Sequence, residues 1–192
     1  MKNLPRDVQE ALRKQLPKVV KNDFRKIFKK EFDSLKKEMI KEFLSHPVTL
    51  EIIAGPNSTN ISGTLNGNSN LFAFIGFSAG EEPIKPILEM LEKISFKDGG
   101  EANVGRNFSV DMPKANDIFA ITPMPWATGR SWAKGIETGI SGLGYLLNKS
   151  GRSSRSGVAI QVKNKVRGGG FSNKPYISAL INKYENKFKE LK

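Results

Sequence analysis

The chain of 192 residues has no cysteine and a single histidine, His46. Without a thiol it forms no disulfide, no thiolate nucleophile and no cysteine-ligated metal site. His46 has neither a second histidine nor a cysteine with which to build a metal site or a catalytic triad. The sequence therefore predicts no bound metal and no cofactor, with His46 in a structural or solvent-exposed role.

Long apolar runs are missing as well. No stretch approaches the roughly 20 apolar residues that a membrane-spanning helix needs. Residues 1–18, MKNLPRDVQEALRKQLPK, are charged throughout and lack the apolar centre of a signal peptide. We therefore expect no membrane partner and a protein that is made and kept in a reducing, cytoplasm-like compartment.

Catalytic and phosphate-binding motifs are also lacking. No segment matches the phosphate-binding loop G-x-x-x-x-G-K-[ST], and the glycines of residues 139–144 lie inside a helical pattern rather than after a strand. Four carboxylates come in pairs that could serve hydrolytic chemistry, but no nucleophile or base accompanies them: Glu81, Glu82, Asp111 and Asp117. We predict that the protein is not an enzyme and that these carboxylates have structural roles.

Positive charge is abundant, and it is concentrated at the two ends of the chain. The net charge is +12. Residues 1–45 hold 13 Lys and Arg against 7 Asp and Glu, residues 46–148 hold 7 against 10, and residues 149–192 hold 11 against 2. This distribution favours an anionic partner such as nucleic acid or an acidic protein surface.

The first 45 residues are predicted to be helical. Pro5 suits a first helical turn, whereas Pro17 is expected to break or kink the segment into a short helix and a long one. Apolar residues then recur every three or four positions over about six turns, which predicts one narrow apolar stripe on the long helix. We expect a neighbouring subunit to cover this stripe, whose proposed interface residues are Phe24, Phe28, Phe32, Leu35, Met39 and Phe43.

The remaining residues predict a mixture of helices and strands without regular β-α-β alternation. The predicted helices cover residues 48–53 (capped by Ser45), 83–93, 131–147 (capped by Ser131) and 176–191. The predicted strands cover residues 71–77, 108–112, 118–121 and 157–162, with the middle two forming a hairpin. The fold class is therefore α+β: a helical arm (residues 1–45), and a core domain (residues 46–192) with a small mixed or antiparallel sheet, two or three packing helices and a C-terminal helix.

A basic stretch at residues 149–174 is the strongest local signal for an anionic partner. Some of its side chains follow the strand at 157–162 with period-two spacing, so they can project from one side and contact a phosphate backbone. The residues predicted to make such contacts are Arg152, Arg155, Lys163, Lys165 and Arg167. Base-stacking aromatic residues and a helix-turn-helix are absent, so the expected contact is electrostatic and not specific for a base sequence.

Three segments carry a resemblance to a known family. They are the long basic N-terminal helix running into EFLSHPVTLEIIAGP, the stretch NISGTLNGNSNLFAFIGFSAGEEPIKPI, and the ending GVAIQVKNKVRGGGFSNKPYISALI. Together they span most of the chain, and they resemble the neck and tail-completion proteins at the head-to-tail junction of tailed bacteriophages. In that family a strand, a basic loop and an aromatic-Pro-aromatic segment precede the last helix, which here corresponds to Phe171 through Pro175, Tyr176 and Ile177.

The resemblance implies a non-enzymatic virion structural protein that is assembled in the host cytoplasm. Its protomers would form a cyclic homo-oligomer around the DNA channel, with the N-terminal helix packed on neighbouring subunits. Basic loops would face the DNA or acidic patches on adjoining connector and tail proteins. The resemblance implies no catalysis, no metal and no cofactor.

Two other functions remain open from the residues alone. A nucleic-acid-binding accessory protein would use its basic termini for non-specific phosphate contacts, and its binding would weaken steeply with salt. A hydrolase would depend on the carboxylates, with loss of activity on Asp111→Asn as its minimal requirement. We favour the structural protein over both.

Overall fold

The computed structural model of the protein describes residues 6–66, 70–101, 106–140 and 171–191. It has the predicted α+β class, with a long N-terminal helix, a C-terminal helix, and shorter helices and two small antiparallel sheets between them. Within the described ranges there are seven α-helices and four strands.

Helix α1 runs from Arg6 to Ser45, a length of about 60 Å at 1.5 Å per residue. The predicted division at Pro17 is wrong, because the helix continues through this residue. A proline inside a helix removes one backbone hydrogen bond. The other turns of α1 retain their own bonds, and its C-terminal half is further held by packing against the rest of the protein.

The chain then reverses direction through a short helix and a compact loop. Helix α2 spans Pro47–Ile53 and is followed by a 3₁₀ turn at Gly55–Asn57. The predicted cap of α2 was Ser45, but His46 has this role: its Nδ1 accepts the N–H of Val48 at 3.2 Å. Ser45 lies on the last turn of α1, where its hydroxyl donates to the carbonyl of Glu42.

The apolar run that was predicted as a strand at residues 71–77 forms a helix instead. Helix α3 spans Leu71–Ile75 and is capped at both ends. The side chain of Asn70 accepts the N–H of Ala73 at 2.9 Å, and Gly76 ends the helix with a left-handed φ of 95°. These two local signals decide between a helix and a strand, which an apolar run of this length leaves open.

Helix α4, at Lys85–Glu92, agrees with the predicted helix at residues 83–93. Strands β1 (Ser95–Glu101) and β2 (Arg106–Asp111) follow as an antiparallel pair with an irregularity between Asp98 and Gly100. The sequence predicted a hairpin in which residues 108–112 form the first strand and residues 118–121 the second. In the structure, β2 is instead the second strand of its hairpin, and β1 is the first. Most of the segment 118–121 lies in helix α5 (Ala115–Ala120), whose first turn is closed by the Lys114 N–H donating to Asp117 at 2.8 Å.

The next elements are a small hairpin and a short helix. A small hairpin, β3 (Pro123–Met124) and β4 (Ala127–Ser131), leads into helix α6 (Trp132–Thr138). Ser131 caps α6 as predicted, since its hydroxyl accepts the N–H of Lys134 at 3.1 Å. Helix α6 ends before Gly139. The predicted continuation to residue 147 falls mainly outside the described residues, and the predicted strand at 157–162 falls wholly outside them.

Helix α7 spans Ile177–Lys189 and packs along the C-terminal half of α1. Phe32 of α1 meets Phe188 of α7 with ring centroids 5.4 Å apart, and Phe43 meets Tyr176 at 6.1 Å. The β1–β2 hairpin contributes Phe108, whose ring stacks on Phe28 at 4.2 Å. Aromatic contacts of this kind add to the free energy gained from apolar burial. The C-terminal half of α1 therefore belongs to the main hydrophobic core, and the helix is an arm only beyond it.

Candidate interaction surface

The outer end of the described part of α1 is exposed. Among the side chains described from residue 22 onward, Phe28 is the first that is buried, and residues 22–27 all face solvent. Phe24 is 43% exposed and Ile27 is 60% exposed, and the two side chains lie one turn apart on the helix. The backbone of α1 extends a further 16 residues, back to Arg6. An exposed helix with apolar side chains near the point where it leaves the core can pack on another molecule.

The structure divides the six predicted interface residues on α1 between the core and the surface. Four of them are buried in the chain's own hydrophobic core, which corrects the expectation that a neighbouring subunit covers the whole stripe: Phe28, Phe32, Met39 and Phe43. Leu35 is half-buried against the same core. Only Phe24 remains available to a partner in this conformation. The sequence identified the stripe but not the second helix of the same chain that covers it.

The five predicted contacts to an anionic partner all lie outside the described residues: Arg152, Arg155, Lys163, Lys165 and Arg167. Their contact with DNA stays a prediction from the sequence.

A different basic surface, which the sequence analysis did not single out, lies on α1. Four exposed lysines share the face of the helix opposite Phe28, since successive residues are rotated by about 100°. We call them the lysine row: Lys26, Lys30, Lys37 and Lys41. The row is about 22 Å long, and none of the four makes an ion pair with another described residue. The helical spacing of these lysines was the signal that could have revealed the row.

The other two lysines of residues 22–45, Lys29 and Lys36, have intramolecular partners. Lys29 pairs with Asp33 one turn away. Lys36 reaches across to the end of α4, where its ammonium group donates to the carbonyls of Glu92 and, at 2.8 Å, of Ile94. Such a cation satisfies carbonyl groups that a helix end leaves without partners. Lys36 therefore supports the fold, which sets it apart from the lysine row.

An apolar groove lies beside the C-terminal half of the lysine row. We call it the outer groove: it has a volume of about 500 Å³, is open to solvent, and is lined by Lys37, Ile40, Lys41, Leu44, Ser45 and Leu50. Ile40 and Leu44 are one turn apart on α1, and Leu50 faces them from α2 with 44% of its surface exposed. Apolar side chains thus form the floor of the groove and lysines form its rim.

Leu50 is followed directly by the most buried carboxylate of the described residues. Glu51 is fully buried, and both of its oxygens accept hydrogen bonds. The N–H groups of Ser62 and Leu71 donate at 2.7 Å each, and the side-chain amide of Asn60 donates at 3.0 Å and 3.2 Å. Glu51 therefore fastens the polar loop that follows the 3₁₀ turn onto α2.

Three of the four carboxylates that were considered for catalysis have a local role. Asp111 pairs with Lys97 across the hairpin at 3.4 Å, and Glu82 pairs with Lys85 at 3.3 Å. Asp117 closes the first turn of α5, as described above. Among the described residues, no group of three or more His, Asp or Glu side chains is placed to hold a metal ion.

The only histidine joins α1, α2 and the segment before α7. Besides capping α2, the His46 ring lies 5.0 Å from the ring of Tyr176. Burial lowers the pKa of His46, and a hydrogen bond with the backbone of Pro175 acts in the opposite direction. Tyr176 is itself buried and shares a hydrogen bond of 2.9 Å with Thr49. These contacts give His46 a structural role.

Charged side chains fasten α7 to α1 at the rim of the core. Glu42 accepts from Lys183 at 2.6 Å and from the hydroxyl of Tyr184 at 2.8 Å, and Glu38 accepts from Lys187 at 2.7 Å. The lysine hydrogen bonds lower the pKa of both glutamates. Burial, followed by the neighbouring Glu42, raises the pKa of Tyr184. The lysines of α7 are thus paired within the chain, in contrast with the lysine row on α1.

Comparison with protein-family models, with curated proteins and with solved structures found no match to this chain. No helix in the described ranges is both long and apolar enough to cross a membrane.

Proposed function

We propose that this protein is a non-enzymatic structural subunit of the head–tail junction of a tailed bacteriophage, acting as a neck or tail-completion protein. In this role it assembles as a cyclic homo-oligomer and contacts connector and tail proteins. The place in the virion rests on the resemblance of the sequence segments described above. The structural observation that supports an assembly role is the exposure of Phe24 and Ile27 where α1 leaves the core.

The argument from this exposure is energetic. Burying apolar surface releases about 25 cal/mol per Å², so two large apolar side chains left in water on a helix favour association. Their position beyond the intramolecular core means that a neighbouring protomer can cover them without opening the fold. In a ring the same two surfaces meet at every contact, because a head-to-tail interface repeats around the symmetry axis when its rotation closes. The arm would thus pack on the next protomer.

Sedimentation equilibrium of the full chain tests the assembly role. We expect a closed oligomer with an integral number of protomers, and we expect Phe24→Ser/Ile27→Ser to weaken the association at least tenfold, about 1.4 kcal/mol. The matched control is Asn22→Ser/Lys26→Ser, which changes exposed residues of the same two turns without removing an apolar side chain. A chain that stays monomeric up to millimolar concentration would overturn this proposal.

The second candidate is a nucleic-acid-binding accessory protein, and the lysine row is the observation that favours it. A row of cations that make no ion pair with another described residue can follow a phosphate backbone. Filter binding with generic duplex DNA at physiological salt tests it: this function requires measurable affinity that falls steeply as salt increases. Absence of binding would eliminate it.

A further inference from the structure

The outer groove combines an apolar floor with lysines that make no ion pair with another described residue. Ile40, Leu44 and Leu50 form the floor, and Lys37 and Lys41 stand on the rim. A purely electrostatic site for a phosphate backbone does not need the apolar floor. A purely apolar contact does not need the lysines. The combination indicates a partner that presents apolar side chains and carboxylates together.

The shape of the outer groove indicates which kind of structure the partner presents to it. Two side chains one turn apart on α1 and a third on α2 form a shallow trough between two helices. An amphipathic helix fits such a trough, because its apolar side chains recur at i, i+3, i+4 and i+7 along one face. Carboxylates flanking that face would lie within reach of the flexible Lys37 and Lys41 side chains.

The charge of residues 1–21 and of residues 141–170 argues against either segment of the same chain as the occupant of the outer groove. Residues 141–170 contain six Lys and Arg and no Asp or Glu, and residues 1–21 contain six against two. Each would bring further positive charge to a rim that is already positive. An acidic segment of a different protein has the complementary charge.

We propose that the outer groove binds an acidic amphipathic helix of a partner protein, held by apolar contacts to Leu50, Ile40 and Leu44 and by ion pairs with Lys37 and Lys41. This inference deepens the proposed function, since it states the chemistry of the connector or tail segment that the subunit would contact. It rests on that function for the identity of the partner, but the groove and its test do not depend on ring formation.

The test uses the full chain and a fluorescent synthetic helix with Leu at i, i+3, i+4 and i+7 and Glu at the other positions. Fluorescence anisotropy measures its binding to the unaltered protein and to two charge variants. Lys37→Glu/Lys41→Glu reverses the rim of the groove, and we expect binding about tenfold weaker. Lys26→Glu/Lys30→Glu makes the same change of charge on the same helix face, away from the groove, and we expect binding within about twofold of the unaltered protein.

Two further binding measurements test the contribution of the apolar contacts. Leu50→Ser should weaken binding of the same peptide about tenfold, and a peptide with Ser in place of each Leu should not bind. All replaced residues are exposed or half-exposed, and circular dichroism confirms that each variant is folded. Failure of the folded, unaltered protein to bind the Leu/Glu peptide would overturn the inference.

Other outcomes would also overturn it, and they identify the alternative. Equal loss of binding in the two charge variants would mean that net charge, not the groove, attracts the peptide. Tighter binding of duplex DNA than of the peptide, with the same dependence on Lys37 and Lys41, would assign the surface to nucleic acid. Loss of the homo-oligomer in Leu50→Ser would assign it to a second copy of this chain. The oligomer measured by sedimentation without peptide is a separate result, so failure of the proposed ring is distinguishable from failure of this inference.

Discussion

The two faces of the C-terminal half of α1 are made from opposite residue types and have opposite surroundings. The inner face carries Phe28, Phe32, Met39 and Phe43, all buried against the same chain. The outer face carries the lysine row and the outer groove, and no described element covers it. One helix thus contributes its inner face to the fold and leaves its outer face available to partners. A pattern of apolar residues alone therefore does not reveal which face meets another protein.

The neighbouring residues Leu50 and Glu51 repeat this contrast within α2. The apolar side chain faces solvent and the charged one is buried, which is the reverse of what their hydropathy favours. Glu51 is tolerated inside because backbone and side-chain N–H groups satisfy both of its oxygens. No comparable contact explains the exposure of Leu50, and this is why we assign it to a partner.

The largest loss of stability should come from truncating a side chain on the inner face of α1. We expect Phe32→Ala to lower the free energy of unfolding by about 3–5 kcal/mol, because it leaves a cavity among Phe28, Phe96 and Phe188. Ile27→Ala, on the exposed turn, should change it by less than about 0.5 kcal/mol. Urea denaturation at a concentration where the chain is monomeric measures both. Similar losses in the two variants would remove the distinction between core and arm.

The second effect concerns the buried carboxylate. We expect Glu51→Ala to destabilise the protein by about 2–4 kcal/mol, since the N–H groups of Ser62 and Leu71 lose their acceptor in a buried position. Leu50→Ala should cost less than about 1 kcal/mol, because Leu50 is already partly in water. Urea denaturation again measures both variants. A larger loss for Leu50→Ala would contradict the assignment of Leu50 to a partner surface.

A smaller effect should appear as a pH dependence of the free energy of unfolding, caused by His46 just after α1. Burial lowers the pKa of His46 in the folded protein below its ordinary value of 6.5, so the unfolded chain binds the proton more tightly. The free energy of unfolding should therefore fall as the pH drops below about 6.5. His46→Asn keeps an acceptor for the Val48 N–H but cannot titrate, and it should flatten this slope. An unchanged slope in thermal denaturation between pH 5 and 7 would assign the dependence to another group.

The smallest effect should come from the ion pairs between α1 and α7. The hydrogen bond from Lys183 lowers the pKa of Glu42, so its contribution is present above about pH 4.5 and is lost as the pH falls through the lowered value. We expect Glu42→Gln to cost about 0.5 kcal/mol at pH 7, because the pair is largely exposed and screened by solvent. The cost should vanish at acidic pH, as measured by denaturation in urea. A cost that stays constant with pH would contradict the ionic origin.

The sequence correctly predicted helices that have a sustained apolar spacing or a clear capping residue. The sustained apolar spacing of α1 and α7 identified both helices, and Ser131 identified the start of α6. Two short elements were not predicted correctly, for two different physical reasons. Five apolar residues at Leu71–Ile75 fit a helix or a strand. Strand β1 contains three charged residues and two glycines, a composition that does not favour a strand, and it is extended through pairing with β2.

The interaction surface was predictable only in part. The apolar stripe on α1 was found from its spacing, but periodicity does not tell whether a helix of the same chain or of another protomer covers it. The lysine row could have been found in the same way. The outer groove could not, because it depends on the angle at which α2 meets α1 after His46.

The contact between the first and last helices has a consequence for synthesis of the protein. The ribosome completes α1 first, yet the helix that covers Phe32 includes Phe188, which lies 156 positions further along the chain (188 − 32). Throughout translation of the intervening residues, the aromatic face of α1 has no α7 to cover it. Nascent chains are therefore exposed to premature association or chaperone capture in that interval.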